Sequence, residues 1–173
     1  MEIRIAGTVN DSYVDGPGCR YSVFTQGCPH HCPGCHNPQS HDFHGGRIVD
    51  TEEIIRQMRE NPMLDGITLT GGEPFCQPEA CLMLVDAARA LGLNVWSYSG
   101  WTYEELLASG DPARVALLRS LDVLVDGRFI LEQRSLSLQW RGSRNQRLVD
   151  VQKSLQEGRV CLWEQPVVSW DAL

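Results

Sequence analysis

Short apolar segments of strand length alternate with helix-length amphipathic ones along most of this chain, and that alternation limits the fold more than any other feature. Residues 20–26 (RYSVFTQ) have the β-branched and aromatic content of a strand that ends at Gly27. Residues 50–61 open with Asp50 and Glu53 at capping-box spacing and carry Ile54, Ile55 and Met58 on one face, which predicts a helix. A strand at 66–70 (GITLT) and a helix at 78–92 follow, the helix starting on Pro78 and stopping at Gly92. Next come a strand at 94–98 (NVWSY), a helix behind a second capping box at Thr102 and Glu105, a short helix (PARVALLRSL), and a strand at 122–126 (DVLVD). Beyond Gly127 the pattern weakens. A loop is expected at 141–145, a last strand at 148–151, and a tail (RVCLWEQPVVSW) that either adds a strand or simply packs.

Strand–helix alternation is the pattern of an α/β fold, a parallel sheet with crossover helices. A closed eight-fold barrel of that type takes about 250 residues and seldom fewer than about 200. The 173 residues here predict instead a partial, open parallel β/α barrel of five or six β/α units, as a single domain over 1–173. In such folds the loops leaving the C-terminal strand ends build the site. The loops at 27–37, 70–74 (TGGEP), 98–101 (YSGW) and 126–129 (DGRF) all follow predicted strands, so they are expected at one rim.

The first of these loops reads GCPHHCPGCHN and places Cys28, Cys32 and Cys35 within eight positions. A structural zinc takes four protein ligands, usually as two pairs far apart in sequence, and no second pair is present. His30, His31 or His36 could complete a zinc site, although the first two lie inside the loop itself. Three thiolates on one short loop also suit three corners of a cubane iron–sulfur cluster. The fourth iron would then lack a protein ligand, a flaw in an electron carrier but an open coordination site in a catalyst. The other four cysteines, Cys19, Cys76, Cys81 and Cys161, are scattered and read as buried thiols.

An odd total of seven cysteines argues against a disulfide framework. No secretory signal is visible at the N-terminus, so a cytoplasmic location is expected. A net charge of −7 gives a nucleic-acid partner no general electrostatic support, and no apolar run reaches membrane-helix length.

The CxxxCxxC spacing resembles that of the radical S-adenosylmethionine enzymes. That resemblance implies a 4Fe–4S cluster on Cys28, Cys32 and Cys35, with the amino and carboxylate groups of S-adenosylmethionine on the remaining iron. GGEP at 71–74 looks like the glycine-rich segment of the same enzymes. Gly71 and Gly72 would allow close backbone approach, and Glu73 would offer a charge-assisted acceptor to the ligand's ammonium. VDGPGCR, YSGW, DVLVDGRF and LQWRGSRNQR extend the likeness, over about residues 10–148, to the small activating proteins of glycyl-radical enzymes. The VDG-x-F and RGS-x-NQ segments point to activators of anaerobic ribonucleoside-triphosphate reductase.

The implied activity is reductive cleavage of S-adenosylmethionine and abstraction of a hydrogen from a partner's glycine. It is driven by a one-electron donor such as flavodoxin or ferredoxin, with no side-chain acid or base. Further cofactor contacts are implied for Gly34, His36, Ser99, Asp126 and Arg128, Gly34 standing where many members carry an aromatic residue. Asp15 and Arg128 are implied to hold the extended backbone of a partner's loop. His41 and His44 read as solvated, and Trp96 and Trp101 as packing residues. The alternatives are an activator of another glycyl-radical enzyme, a radical enzyme for a small molecule, and a zinc-binding interaction module.

Overall fold

The computed structural model describes residues 1–166. In chain order its elements are β1 (Glu2–Ser12), β2 (Arg20–Thr25), β3 (Arg47–Asp50), α1 (Thr51–Glu60), β4 (Gly66–Gly71), α2 (Pro78–Ala90), β5 (Asn94–Ser99), α3 (Tyr103–Leu107), α4 (Pro112–Ser120), β6 (Val123–Asp126), β7 (Arg147–Asp150) and α5 (Val151–Glu157). The strands form one sheet in the order β3-β1-β2-β4-β5-β6-β7. β2, β4, β5 and β6 run parallel. β1, β3 and β7 join antiparallel at the two sides. The sheet stays open, with β3 and β7 as its edges, in keeping with the open α/β architecture expected from chain length.

The parallel strands are buried on both faces, as near-continuous apolar runs require. Ile67, Leu69, Val95 and Leu124 point toward the helices and meet Ile54, Met58, Leu84, Val85, Leu117 and Leu118 in the main core. Alternate residues of the same strands point the other way. Trp96, Val123 and Val125 there form a second cluster with Tyr98, Trp140 and Trp163. Trp96, Trp140 and Trp163 contact one another edge-on at centroid distances of 5.0 to 5.7 Å.

Both helix starts read from capping spacing hold. Asp50 caps α1 by accepting from the Glu52 N–H, one residue earlier than a capping box would use. Thr102 and Glu105 form the reciprocal box at α3. β1, β3 and α5 are not among the elements read from the sequence, although Ile3 and Ile5 alternate with Glu2 and Arg4 in β1 and are buried. Of the tail, Leu162 makes an isolated bridge to Val149 and Trp163 packs on the second cluster, while its last residues lie outside those described.

Candidate functional site

A cavity of about 420 Å³ opens at the C-terminal ends of β2, β4, β5 and β6, on the face of the sheet away from the helices. All four loops predicted to share a rim contribute to it. The thiols of Cys28, Cys32 and Cys35 line it together, all three in the free form. Gly27 turns the chain out of β2 with φ +102°, where a side chain would be strained and would strike Phe43. The loop is then fastened by backbone bonds from Gly27 N–H to Ser40 O (2.7 Å), Cys28 N–H to His41 O (3.1 Å) and Glu73 N–H to Gly27 O (2.9 Å).

Burial pushes the Cys28 thiol up to about 11. A bound cation reverses that by deprotonating a ligating thiol outright. Among the described residues no three His, Cys, Asp or Glu groups converge tightly enough to hold a single metal ion. The three thiols border a shared space instead. That donor set suits a multi-iron cluster, where each thiolate takes its own iron.

Gly71 and Gly72 line the cavity beside this loop. A Cβ at Gly71 (φ +93°) would lie 2.5 Å from Thr25 N, and one at Gly72 would lie 2.5 Å from Gly27 O. Their bareness lets the β4 turn press against the cysteine loop. Ser99, His36 and Asp15 also line the cavity. The Asp15 carboxylate is aimed by two hydroxyl donors, Ser12 Oγ at 2.6 Å and Ser22 Oγ at 2.8 Å.

Four residues implied by the resemblance stand off the cavity wall. Glu73 is fully buried behind it, its carboxylate filled by internal donors: His30 Nε2, Gly100 N–H, Phe75 N–H and the Ser99 hydroxyl. It presents no free acceptor to a ligand's ammonium here. Asp126, 1% exposed, accepts from Tyr103 N–H and from two nitrogens of Arg147, so its carboxylate is likewise committed to the fold. Arg128 is exposed and its Nε lies 3.4 Å from His30 Nδ1. Gly34 (φ +76°) is exposed, and a Cβ there would come within 2.9 Å of Leu131 and 3.4 Å of Phe129.

Several lining residues carry no signal of their own in sequence. Phe24, Tyr98, Phe129 and Trp140 supply the apolar wall, and the Tyr98 hydroxyl donates to Trp140 O at 2.5 Å. Tyr98 and Phe129 sit in rim segments already singled out. Trp140 lies in the LQWRGSRNQR segment of the resemblance, but its place on the cavity wall is set by folding. His41 is not the solvated residue its neighbours suggest: it lines the cavity and packs edge-on against His31 at 5.2 Å. Its desolvation holds its pKa below the usual histidine value. His44 is exposed, as expected, and Trp96 and Trp101 pack as expected.

The family described as 4Fe-4S single cluster domain matches residues 14–149. The anaerobic ribonucleoside-triphosphate reductase-activating protein of Haemophilus influenzae is 36% identical over 141 residues, covering 77% of this chain and 88% of that protein. Its namesake in Vibrio cholerae is 37% identical with the same coverage. The Escherichia coli protein of that name is 35% identical over 77% of this chain and 89% of its own length. Among solved structures, QueE from Escherichia coli superposes with a TM-score of 0.44 at 17% identity, over 59% of this chain and 54% of that one, too slight a likeness to carry an argument. The match across the cysteine loop, the rim segments and most of both chains makes this protein a member of the anaerobic ribonucleoside-triphosphate reductase-activating protein family, built on a 4Fe–4S single cluster domain.

Proposed function

We propose that the chain is a cytoplasmic radical S-adenosylmethionine enzyme that activates an anaerobic ribonucleoside-triphosphate reductase by taking a hydrogen atom from one of its glycines. The observation that carries this reading is the meeting of three free thiols, the bare Gly71–Gly72 turn and the aimed Asp15 carboxylate on one cavity. When bound, the cluster and S-adenosylmethionine supply a one-electron reductive cleavage: one electron enters from a donor such as flavodoxin or ferredoxin, one hydrogen leaves the glycine α-carbon, and methionine and 5′-deoxyadenosine are released.

The rest is done by the chain's own residues. Cys28, Cys32 and Cys35 would hold the cluster. Gly71 and Gly72 let a ligand approach the backbone, with Ser99 and His36 beside it, and Glu73 supports this turn from behind. Phe24, Tyr98, Phe129 and Trp140 keep water from the reacting atoms. Asp15 stands at the rim, beside exposed Val14, where its carboxylate can accept backbone N–H groups of an inserted loop.

The test incubates anaerobically reconstituted protein with S-adenosylmethionine, a reductant and a reductase labelled with α-deuterated glycine. A glycine-centred doublet in the electron paramagnetic resonance spectrum and deuterium in the 5′-deoxyadenosine are expected. Deuterium that never transfers, while a small metabolite donates hydrogen efficiently, would overturn the reading in favour of a small-molecule enzyme.

A further inference from the structure

The cysteine loop has almost no core of its own. Between Cys28 and Cys35, Pro29, His31, Pro33 and Gly34 are all exposed. Cys32 is half-buried, and the His30 side chain is only 4% exposed. It lines the inner wall of the cavity and fills a slot between the β4 turn and the loop after β5.

Three contacts define that slot. His30 Nε2 lies 2.8 Å from Glu73 Oε2, and the Glu73 side chain is fully buried. The ring stands edge-on to Trp101 at 4.7 Å, and Trp101 is backed by the Arg114 guanidinium at 4.5 Å. Gly100 leaves the space the ring occupies, since a Cβ there would lie 2.4 Å from His30 Cδ2. On the outer side His30 Nδ1 faces Arg128 Nε at 3.4 Å. Arginine can only donate, so Nδ1 accepts and Nε2 carries the hydrogen given to Glu73.

Glu73 therefore grips the cysteine loop twice, through its N–H to Gly27 O and through its carboxylate to His30. The same carboxylate also holds Ser99 Oγ and Gly100 N–H, so three rim loops converge on one buried charge. We propose that His30 is the positioning residue of the cysteine loop, locking it to Glu73 so that the three thiols keep one arrangement whether or not anything is bound between them. This rests on the reading of the triplet as the cluster site. It gives Glu73 an architectural task in place of the ligand contact implied by resemblance. Ordering an eight-residue loop costs conformational entropy that its exposed prolines and the backbone bonds at Gly27 and Cys28 offset in part, and the buried charge-assisted bond of His30 adds to them from the middle of the loop.

The experiment compares the full chain with His30→Ala, His30→Gln and His30→Asn. The readouts are iron loss to a chelator, the spectrum of the reduced cluster, and the alkylation rate of Cys28 in the iron-free chain. Loss of a charge-assisted bond predicts that His30→Ala loses iron and alkylates at Cys28 roughly ten-fold faster or more, with a changed cluster spectrum. Glutamine places its amide nitrogen where Nε2 stood and is expected to recover most of the parent behaviour. Asparagine reaches only the Nδ1 position and is expected to recover little. The inference is overturned if His30→Ala matches the parent in both iron loss and alkylation, or if asparagine rescues as well as glutamine. A variant that binds S-adenosylmethionine more tightly at unchanged alkylation would also sink it, since His30 would then merely occupy a ligand's seat. A parent chain that takes up no iron refutes the cluster reading instead, and the alkylation rates still decide the role of His30.

Discussion

Asp126 was expected at the rim as a ligand contact, and its strand does end there, but its carboxylate turns inward. It is 1% exposed and holds Tyr103 N–H at 2.8 Å and the Arg147 guanidinium at 3.0 and 2.5 Å. Asp126 and then Glu104 raise the Arg147 pKa further above its ordinary value. Arg147→Ala would leave a buried carboxylate with one backbone donor, so a loss of about 2 kcal/mol is expected in urea unfolding. Arg147→Lys keeps the charge without the fork and should fall between. Glu104→Ala, on the exposed side of the same guanidinium, should cost under about 1 kcal/mol. Equal losses for Glu104→Ala and Arg147→Ala would mean that the buried bond carries no special weight. The sequence shows an aspartate at a strand end in either case. Which way it points depends on an arginine 21 positions later in the chain, on a strand that pairs with β6.

Among the elements, α3 shows how local chemistry stays readable. Five residues cannot sustain a helix alone. Thr102 accepts from Glu105 N–H, and Glu105 returns a bond to Thr102 N–H, while Tyr103 and Leu106 are buried. The helix follows directly on Ser99–Trp101 and so fixes the β5 side of the cavity. Thr102→Ala is expected to cost about 1 kcal/mol in thermal or urea unfolding, with Thr102→Ser recovering most of it. No change in the alanine variant would show that burial of Tyr103 and Leu106 holds α3 unaided. Caps are legible because their partners lie within three or four residues. β3 is not, because its four residues gain strand geometry only by pairing with β1.

Over the whole molecule, buried thiols set a response to alkaline pH. Burial pushes Cys28 and Cys76 from near 9 up to about 11, and the fully buried Cys81 higher still. The folded chain therefore keeps protons that the unfolded chain releases, and this contribution is complete below about pH 9 and lost as pH rises toward 11. The urea midpoint of the iron-free chain should be lower at about pH 10 than at about pH 8, and a flat profile would contradict the burial of these thiols. The sequence by itself determined the alternation of strands and helices, the clustering of three thiols behind a strand, and the paired glycines at the end of β4. Each follows from residues adjacent in the chain, where spacing alone sets geometry. Only the tertiary structure decided that Glu73 faces His30 across 43 positions, that Trp140 closes the cavity wall, and that β1, β3 and β7 flank the parallel strands. Those outcomes depend on what desolvation leaves to pair with a buried charge or an open strand edge, and the pairing partners lie far apart in sequence.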